Sequence, residues 1–183
     1  PGLVDVHSTI GLSGIYGANA GQVRDQDQLE KSEPLQPDLR PVDAYNAHDR
    51  LIEWVRRYGV TTMHTGHGPG ALISGQTMVV KTRGSSIEEA LVESLTALAV
   101  TLGPSVSSNY ESPGTRAKSV AMLRQALIEA QEYAAKLEDP DAEDKKPARD
   151  LKKEALAQAL AGEIKMMVTA HTVTELAAAL RLQ

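Results

Sequence analysis

Apolar residues along the chain alternate between short runs and helical spacing, and this alternation predicts the order of the elements. Short runs of β-branched and other apolar residues predict buried strands at 3–6, 60–65, 78–82, 98–102 and 164–169. Apolar positions three and four residues apart predict helices at 47–58, 86–95, 113–134, 151–160 and 173–180. Strands that alternate with helices are typical of a parallel sheet with helical crossovers. A (β/α)₈ barrel and an open parallel α/β sheet both satisfy this order.

Capping signals place the helix starts. Asn46 is a predicted N-cap, and Ser112 followed by Pro113 predicts the start of the longest helix. Ser86 with Glu89, and Thr172 with Glu175, have the spacing of a capping box. The glycine-rich stretch 66–75 lies between two strand-like runs and predicts a shaped turn in a hairpin-like insert.

Two long segments lack any sustained period. Residues 8–45 are rich in Gly, Asp, Gln and Pro, and we expect them to form a long loop over one end of the sheet. Residues 137–150 mix charges of both signs with two prolines and predict a charged surface loop.

Composition narrows the class of protein further. The 183 residues suffice for one domain, and 19 basic against 24 acidic residues leave a net charge of −5. This acidic balance speaks against broad binding of nucleic acid or of an anionic membrane, and no apolar run approaches the ~20 residues of a membrane span. The absence of cysteine excludes thiol nucleophiles, disulfide scaffolds and zinc ribbons.

Four of the five histidines fall at or just beyond the carboxyl end of a predicted strand. These are His7, His64, His67 and His171. The loops that follow parallel strands converge at that end of the sheet, and imidazole is a common ligand of zinc. The four residues are therefore candidate metal ligands, with His64 or His67 as a possible partner of His7. The alternative is that each one caps backbone groups or is a hydrogen-bonded core residue.

Several blocks of sequence resemble the amidohydrolase superfamily, in particular its imidazolonepropionase-like members. The most specific block is Pro1-Gly2-Leu3-Val4-Asp5-Val6-His7, which is similar to the lead into the His-x-His metal pair of the first barrel strand. The other blocks are Gly59–Thr62, Gly75-Gln76 with Lys81, Val168–His171 and Ala179–Leu182.

The resemblance implies a (β/α)₈ barrel with one or two divalent metal ions, zinc in particular, at its mouth. In such proteins a metal-activated water hydrolyses a C–N bond of a small amide or cyclic amide. Residues 1–183 would form the N-terminal part of the barrel domain, about half of its strands, since a full barrel has about 250 residues.

Two positions depart from the family's metal motifs. Thr9 stands where the second histidine of the first pair belongs, and Thr169 stands where the first histidine of a later pair belongs. Threonine is a poor zinc ligand beside imidazole, so we expect this chain alone to bind zinc weakly or not at all. The alternative function is a noncatalytic barrel that acts as a binding or assembly module. In either case, half a barrel leaves strand edges unpaired, and we expect a homo-oligomer.

Overall fold

The strands form where the sequence carries its apolar runs. The computed structural model describes residues 2–16, 23–24, 26–139 and 146–182. Its strands are β1 (Leu3–Ser8), β2 (Ile15–Tyr16), β3 (Val23–Arg24), β4 (Val60–Gly66), β5 (Ile73–Lys81), β6 (Leu91–Thr101) and β7 (Lys165–Thr169). Its helices are α1 (Arg50–Arg57), α2 (Ile87–Ala90), α3 (Ser105–Asn109), α4 (Arg116–Glu138), α5 (Leu151–Leu160) and α6 (Val173–Leu180), with a 3₁₀ turn at Pro41–Asp43.

Five strands form one sheet in the order β1-β4-β5-β6-β7. The outer pairs β1–β4 and β6–β7 are parallel, whereas β5 runs antiparallel to both of its neighbours. β1, β4, β6 and β7 therefore all point the same way, and their carboxyl ends share one end of the sheet. The expectation of an all-parallel sheet is wrong, because the hairpin-like insert after β4 places its second strand inside the sheet rather than outside it.

The predicted helix at 86–95 is wrong over most of its length. Only Ile87–Ala90 is helical, and β6 begins directly at Leu91, which pairs with Val80 of β5. The Ser86 side chain makes no capping hydrogen bond, and the Glu89 carboxylate instead accepts from the backbone N–H of Ser85. Hydrogen bonding to β5 outweighs the local helix signal in this segment, since β5 needs a partner along its whole length.

Other helix boundaries differ by a few residues from those predicted. α1 is capped by Asp49 rather than Asn46, and α4 is capped by Thr115, which accepts from the Lys118 N–H at 3.3 Å. The capping box of Thr172 with Glu175 at the start of α6 is confirmed.

The two predicted loops are only partly described. Within 8–45, residues 17–22 and 25 lie outside the described residues, and β2 pairs with β3 in a small antiparallel sheet. Of the charged segment 137–150, the first two residues belong to α4, and residues 140–145 lie outside the described residues.

Segment 34–39 extends the sheet beyond the end of β4. Leu35 forms a parallel bridge with Ile73, the Gln36 N–H donates to the Ile73 carbonyl, and the Gln76 N–H donates to the Leu39 carbonyl. This segment thus satisfies the first residues of β5 on the side that β4 no longer covers. Residues 34–39 of the long polar loop therefore form part of the sheet, next to the carboxyl end of β4.

Two main groups of apolar side chains cover one face of the sheet. Met63, Met78 and Val80 pack with Ile52 of α1, while β6 residues pack against α4 and α5. Since successive side chains of a strand point to opposite faces, His64 and Thr77 face away from the α1 side. The second face, opposite the helices, therefore carries His64 and Thr77.

None of the helices in the described part of the chain is both long and apolar enough to cross a lipid bilayer.

The core packing of α4 gives a stability prediction. Leu123 is 1 % exposed in the larger apolar cluster, whereas Ile128 of the same helix is 43 % exposed. We expect Leu123→Ala to lower the free energy of unfolding by about 2–5 kcal/mol, through lost burial and a residual cavity. The matched control Ile128→Ala should lower it by less than about 1 kcal/mol. Urea denaturation measures both, and equal losses would contradict the assignment of α4's buried face.

Candidate functional site

His64 is held by hydrogen bonds that reach across four strands. Its Nδ1 donates to the Val6 carbonyl of β1 at 3.0 Å, since a carbonyl can only accept. Its Nε2 lies 2.8 Å from Thr77 Oγ1 of β5 and 2.9 Å from Thr96 Oγ1 of β6. The two hydroxyl oxygens are 3.0 Å apart and complete the network. In the neutral ring, Nε2 accepts from one of these hydroxyls, so both nitrogens of His64 are engaged.

His7 lies beside this network. The His7 and His64 ring centroids are 6.5 Å apart with the ring planes tilted by 56°. His7 is exposed, and its backbone N–H donates to Asp5 Oδ1 at 3.2 Å. The parallel pairing of β1 with β4 thus brings together two of the four candidate histidines.

His171 lies two residues beyond β7 in a cleft of about 630 Å³, which we call the His171 cleft. The cleft is lined by the turn at 103–107, the start of α4 at 114–119 and the start of α6 at 171–175. Glu175 is buried at its side, and its Oε2 accepts from the backbone N–H of His171 at 2.8 Å and of Thr172 at 3.1 Å. The pKa of the Glu175 carboxyl lies below its ordinary value, chiefly because the backbone N–H of His171 donates to it. The positive charge of Arg116 lowers this pKa further.

His67 lies in a separate cavity of about 510 Å³, which we call the His67 cavity. Residues 26–31 and 38–44 line it together with His67. The imidazole packs flat against Gly75, where an added Cβ would lie 2.3 Å from His67 Cδ2. Burial lowers the pKa of His67, while the backbone of Gln28 and Asp27 and the Asp27 carboxylate oppose this effect. Burial therefore favours the neutral form of the ring.

The structure places all four histidines toward the carboxyl end of the parallel-running strands. The prediction that His7, His64 and His171 share one end of the sheet is confirmed by the strand directions. The rings of His7 and His64 are neighbours, whereas His67 and His171 line two different cavities.

The side chains present do not by themselves fit a zinc centre. Among residues 2–16, 23–24, 26–139 and 146–182, no three His, Asp or Glu side chains are grouped so as to hold an ion. Both ring nitrogens of His64 already have protein partners. Structural and catalytic zinc sites take three or four protein ligands, so a metal on His7 or His171 would need further ligands. Metal binding by the four histidines stays a prediction.

Three groups of the site carried no signal in the sequence. Thr77 and Thr96 meet at His64 only because β5 is inserted between β4 and β6. Arg116 reaches the His171 cleft because α4 begins next to the turn that follows β6. Glu175 did carry a signal, as the third residue of a capping box, but its hydrogen bond to His171 depends on the turn after β7.

Comparison with solved structures supports the resemblance to amidohydrolases in general, but not the narrower resemblance to the imidazolonepropionase-like members. No protein-family profile matches the chain, and no curated protein matches it. The solved structure of an amidohydrolase from Thermotoga maritima MSB8 matches the whole chain with a TM-score of 0.90 and 28 % sequence identity. The chain spans 48 % of that protein, which is about half its length. The α/β fold of this chain, with its curled mixed sheet, is thus the fold of about half of that amidohydrolase.

Glu175 gives a prediction about pH. Its pKa in the folded protein lies below its usual value of 4.5, so its charge stabilises the fold above that pH and stops doing so as pH falls through the folded pKa. Glu175→Gln should therefore be less stable than the natural protein at pH 6, and the gap should close toward pH 3. Thermal unfolding at several pH values measures this, with the exposed Glu163→Gln as matched control. A gap that stays constant with pH would contradict the carboxylate's role.

Proposed function

We propose that this chain is part of an imidazolonepropionase-like amidohydrolase that hydrolyses a C–N bond in a small amide or cyclic amide. The observation that carries the proposal is the match of the whole chain to a solved amidohydrolase at 28 % identity and a TM-score of 0.90. The blocks that resemble the family also lie where a barrel site would need them, at the ends of β1 and β7.

His7 and His171 are the residues we propose as this chain's contribution to a divalent metal site, zinc in particular. The sequence resemblance assigns both to ligand positions of the family, and they lie at the end of β1 and just after β7. Two imidazoles fall short of a complete zinc site, and Thr9 and Thr169 supply no good replacement. The remaining ligands would have to come from groups beyond those described here. If His7 or His171 does not bind the metal ion, His64 and His67 are the next candidate ligands.

The alternative is a noncatalytic barrel that binds or assembles. The engagement of both His64 nitrogens with Val6, Thr77 and Thr96 favours it, because this histidine then serves to connect strands rather than to bind an ion. The two functions make opposite predictions about metal and hydrolysis.

The decisive experiment combines a zinc measurement with an assay. The purified chain is dialysed against a mild chelator, its zinc is measured, and zinc is then restored before incubation with hydantoins, lactams and N-acyl amino acids. We expect less than one retained zinc per chain, since the ligand set is incomplete. Proton NMR of the substrates detects cleavage of the C–N bond.

The variants identify the residues responsible. His7→Ala and His171→Ala should each reduce the restored hydrolysis by at least about 100-fold, the upper end of the loss seen on removing a supporting residue of a metal site. His48→Ala is the matched control, because His48 is exposed and belongs to neither site. If the unsubstituted chain hydrolyses none of the substrates after zinc is restored, the result supports the noncatalytic barrel instead. Stoichiometric zinc after dialysis would contradict the incomplete ligand set and point to His64 or His67.

We also propose that the chain forms a homo-oligomer through its sheet edges. β1 and β7 are the outer strands of the sheet, and each has a hydrogen-bonded neighbour on one side. Val6 of β1 is 77 % exposed, and Val168 of β7 is 39 % exposed. Unpaired strand edges that carry apolar side chains favour pairing with another chain, and a second copy with two-fold symmetry has the highest base rate.

Light scattering with size-exclusion chromatography tests the assembly. We expect a dimer at micromolar concentration that Val6→Asp shifts toward the monomer, because a carboxylate at the edge is costly to bury. Leu151→Asp is the matched control, since Leu151 is 57 % exposed but lies at the start of α5. A stable monomeric natural protein would contradict this proposal without affecting the proposed reaction.

A further inference from the structure

The walls of the His67 cavity are held to the sheet on both sides. On one side, the Gln76 N–H donates to the Leu39 carbonyl at 2.9 Å and the Gln76 side-chain amide donates to the Pro37 carbonyl at 3.0 Å. On the other side, the Gly68 N–H donates to the Gln28 carbonyl at 2.9 Å. Hydrogen bonds therefore hold the two loop segments that line the cavity, and the shape of the cavity is set by the fold.

Two side chains of the cavity bury polar atoms that have no partner. His67 is only 4 % exposed, and neither of its ring nitrogens has a partner at full hydrogen-bond geometry within the described part of the chain, although the backbones of Gln28 and Asp27 lie close enough to raise its pKa. Asp38 Oδ1 is also buried without a donor among the described residues. Buried polar atoms are normally hydrogen-bonded, and leaving one unsatisfied is costly. A carboxylate oxygen can only accept, so what Asp38 lacks is a donor.

The charge around these atoms is predominantly negative. Among the described residues, the cavity is lined by four carboxylates and two basic side chains; these are Asp27, Glu30, Asp38, Asp43, Lys31 and Arg40. The Glu30 carboxylate accepts from the backbone N–H groups of Lys31 and Ser32 and is thereby kept ionised. Leu29, Leu39 and Ala44 add apolar surface. This combination suits a ligand with positive charge, N–H donors and a short hydrocarbon part.

We propose that the His67 cavity binds a small organic cation that carries N–H donors, of the alkylguanidinium or alkylammonium class. One N–H of the cation donates to Asp38 Oδ1 and another to the unprotonated ring nitrogen of His67, which gives these two acceptor atoms their missing donors. The alkyl part contacts the leucines. Because no three of the described His, Asp or Glu side chains are grouped to hold a metal ion, an organic cation fits better than a bare one.

This site is separate from the proposed hydrolytic site. The lining of the His67 cavity shares no residue with that of the His171 cleft, and it does not include His7. With His7 and His171 as the metal ligands, binding of the cation in the His67 cavity does not depend on what the chain hydrolyses.

Two matched cations test the proposal by isothermal titration calorimetry. Butylguanidinium carries N–H donors, whereas butyltrimethylammonium has the same charge and alkyl chain but no donor. We expect butylguanidinium to bind one per chain and at least about tenfold tighter than butyltrimethylammonium. Asp38→Asn should weaken butylguanidinium binding by about tenfold or more, and the exposed Glu132→Gln of α4 should leave it unchanged.

The His67 ring supplies a second measurement that needs no variant. Long-range proton–nitrogen NMR spectra of the natural protein should show the His67 nitrogens shifting with butylguanidinium and not with butyltrimethylammonium. The thermal melting curve of Asp38→Asn shows whether that variant is folded. Equal affinities for the two cations, unchanged His67 signals, or a folded Asp38→Asn protein that binds as tightly as the natural one would each overturn the proposal.

Discussion

The need to pair the backbone of β5 on both sides organises this molecule. β5 is the middle strand of the sheet and nearly all of its nine residues are buried, so its N–H and C=O groups have little access to water. β6 pairs along one side, which draws Leu91–Thr101 into a strand despite the helix signal before it. β4 covers only part of the other side, and segment 34–39 covers the rest. The long polar loop is thereby fixed to the sheet.

The positions of the histidines follow from this arrangement. With β5 next to β4, Thr77 comes within reach of His64, and the pairing of β5 with β6 adds Thr96. The same strand contributes Gly75, whose missing side chain leaves room for the His67 ring, and Gln76, which holds the adjoining loop. The histidines are thus divided among a pair of neighbouring rings, His7 and His64, a cavity that contains His67 and a cleft that contains His171.

The resemblance to half of an amidohydrolase explains the apolar edges. A sheet that matches about half of a larger chain has two outer strands, β1 and β7, where a full-length relative has room for more. Exposed valines at these edges are costly for an isolated chain and useful where strands are added.

The sequence by itself determined most of the strands, the capping box at Thr172, and the placement of His7, His64 and His171 at one end of the sheet, because these depend on local apolar runs and on chain direction. Only the tertiary structure decided the antiparallel direction of β5, the start of β6 at Leu91 and the partners of each histidine. Local propensity favoured a helix at 86–95, but sheet hydrogen bonds to β5 outweighed it. Contacts such as His64 with Thr96, 32 residues apart in sequence, arise from strand order, which spacing along the chain does not encode.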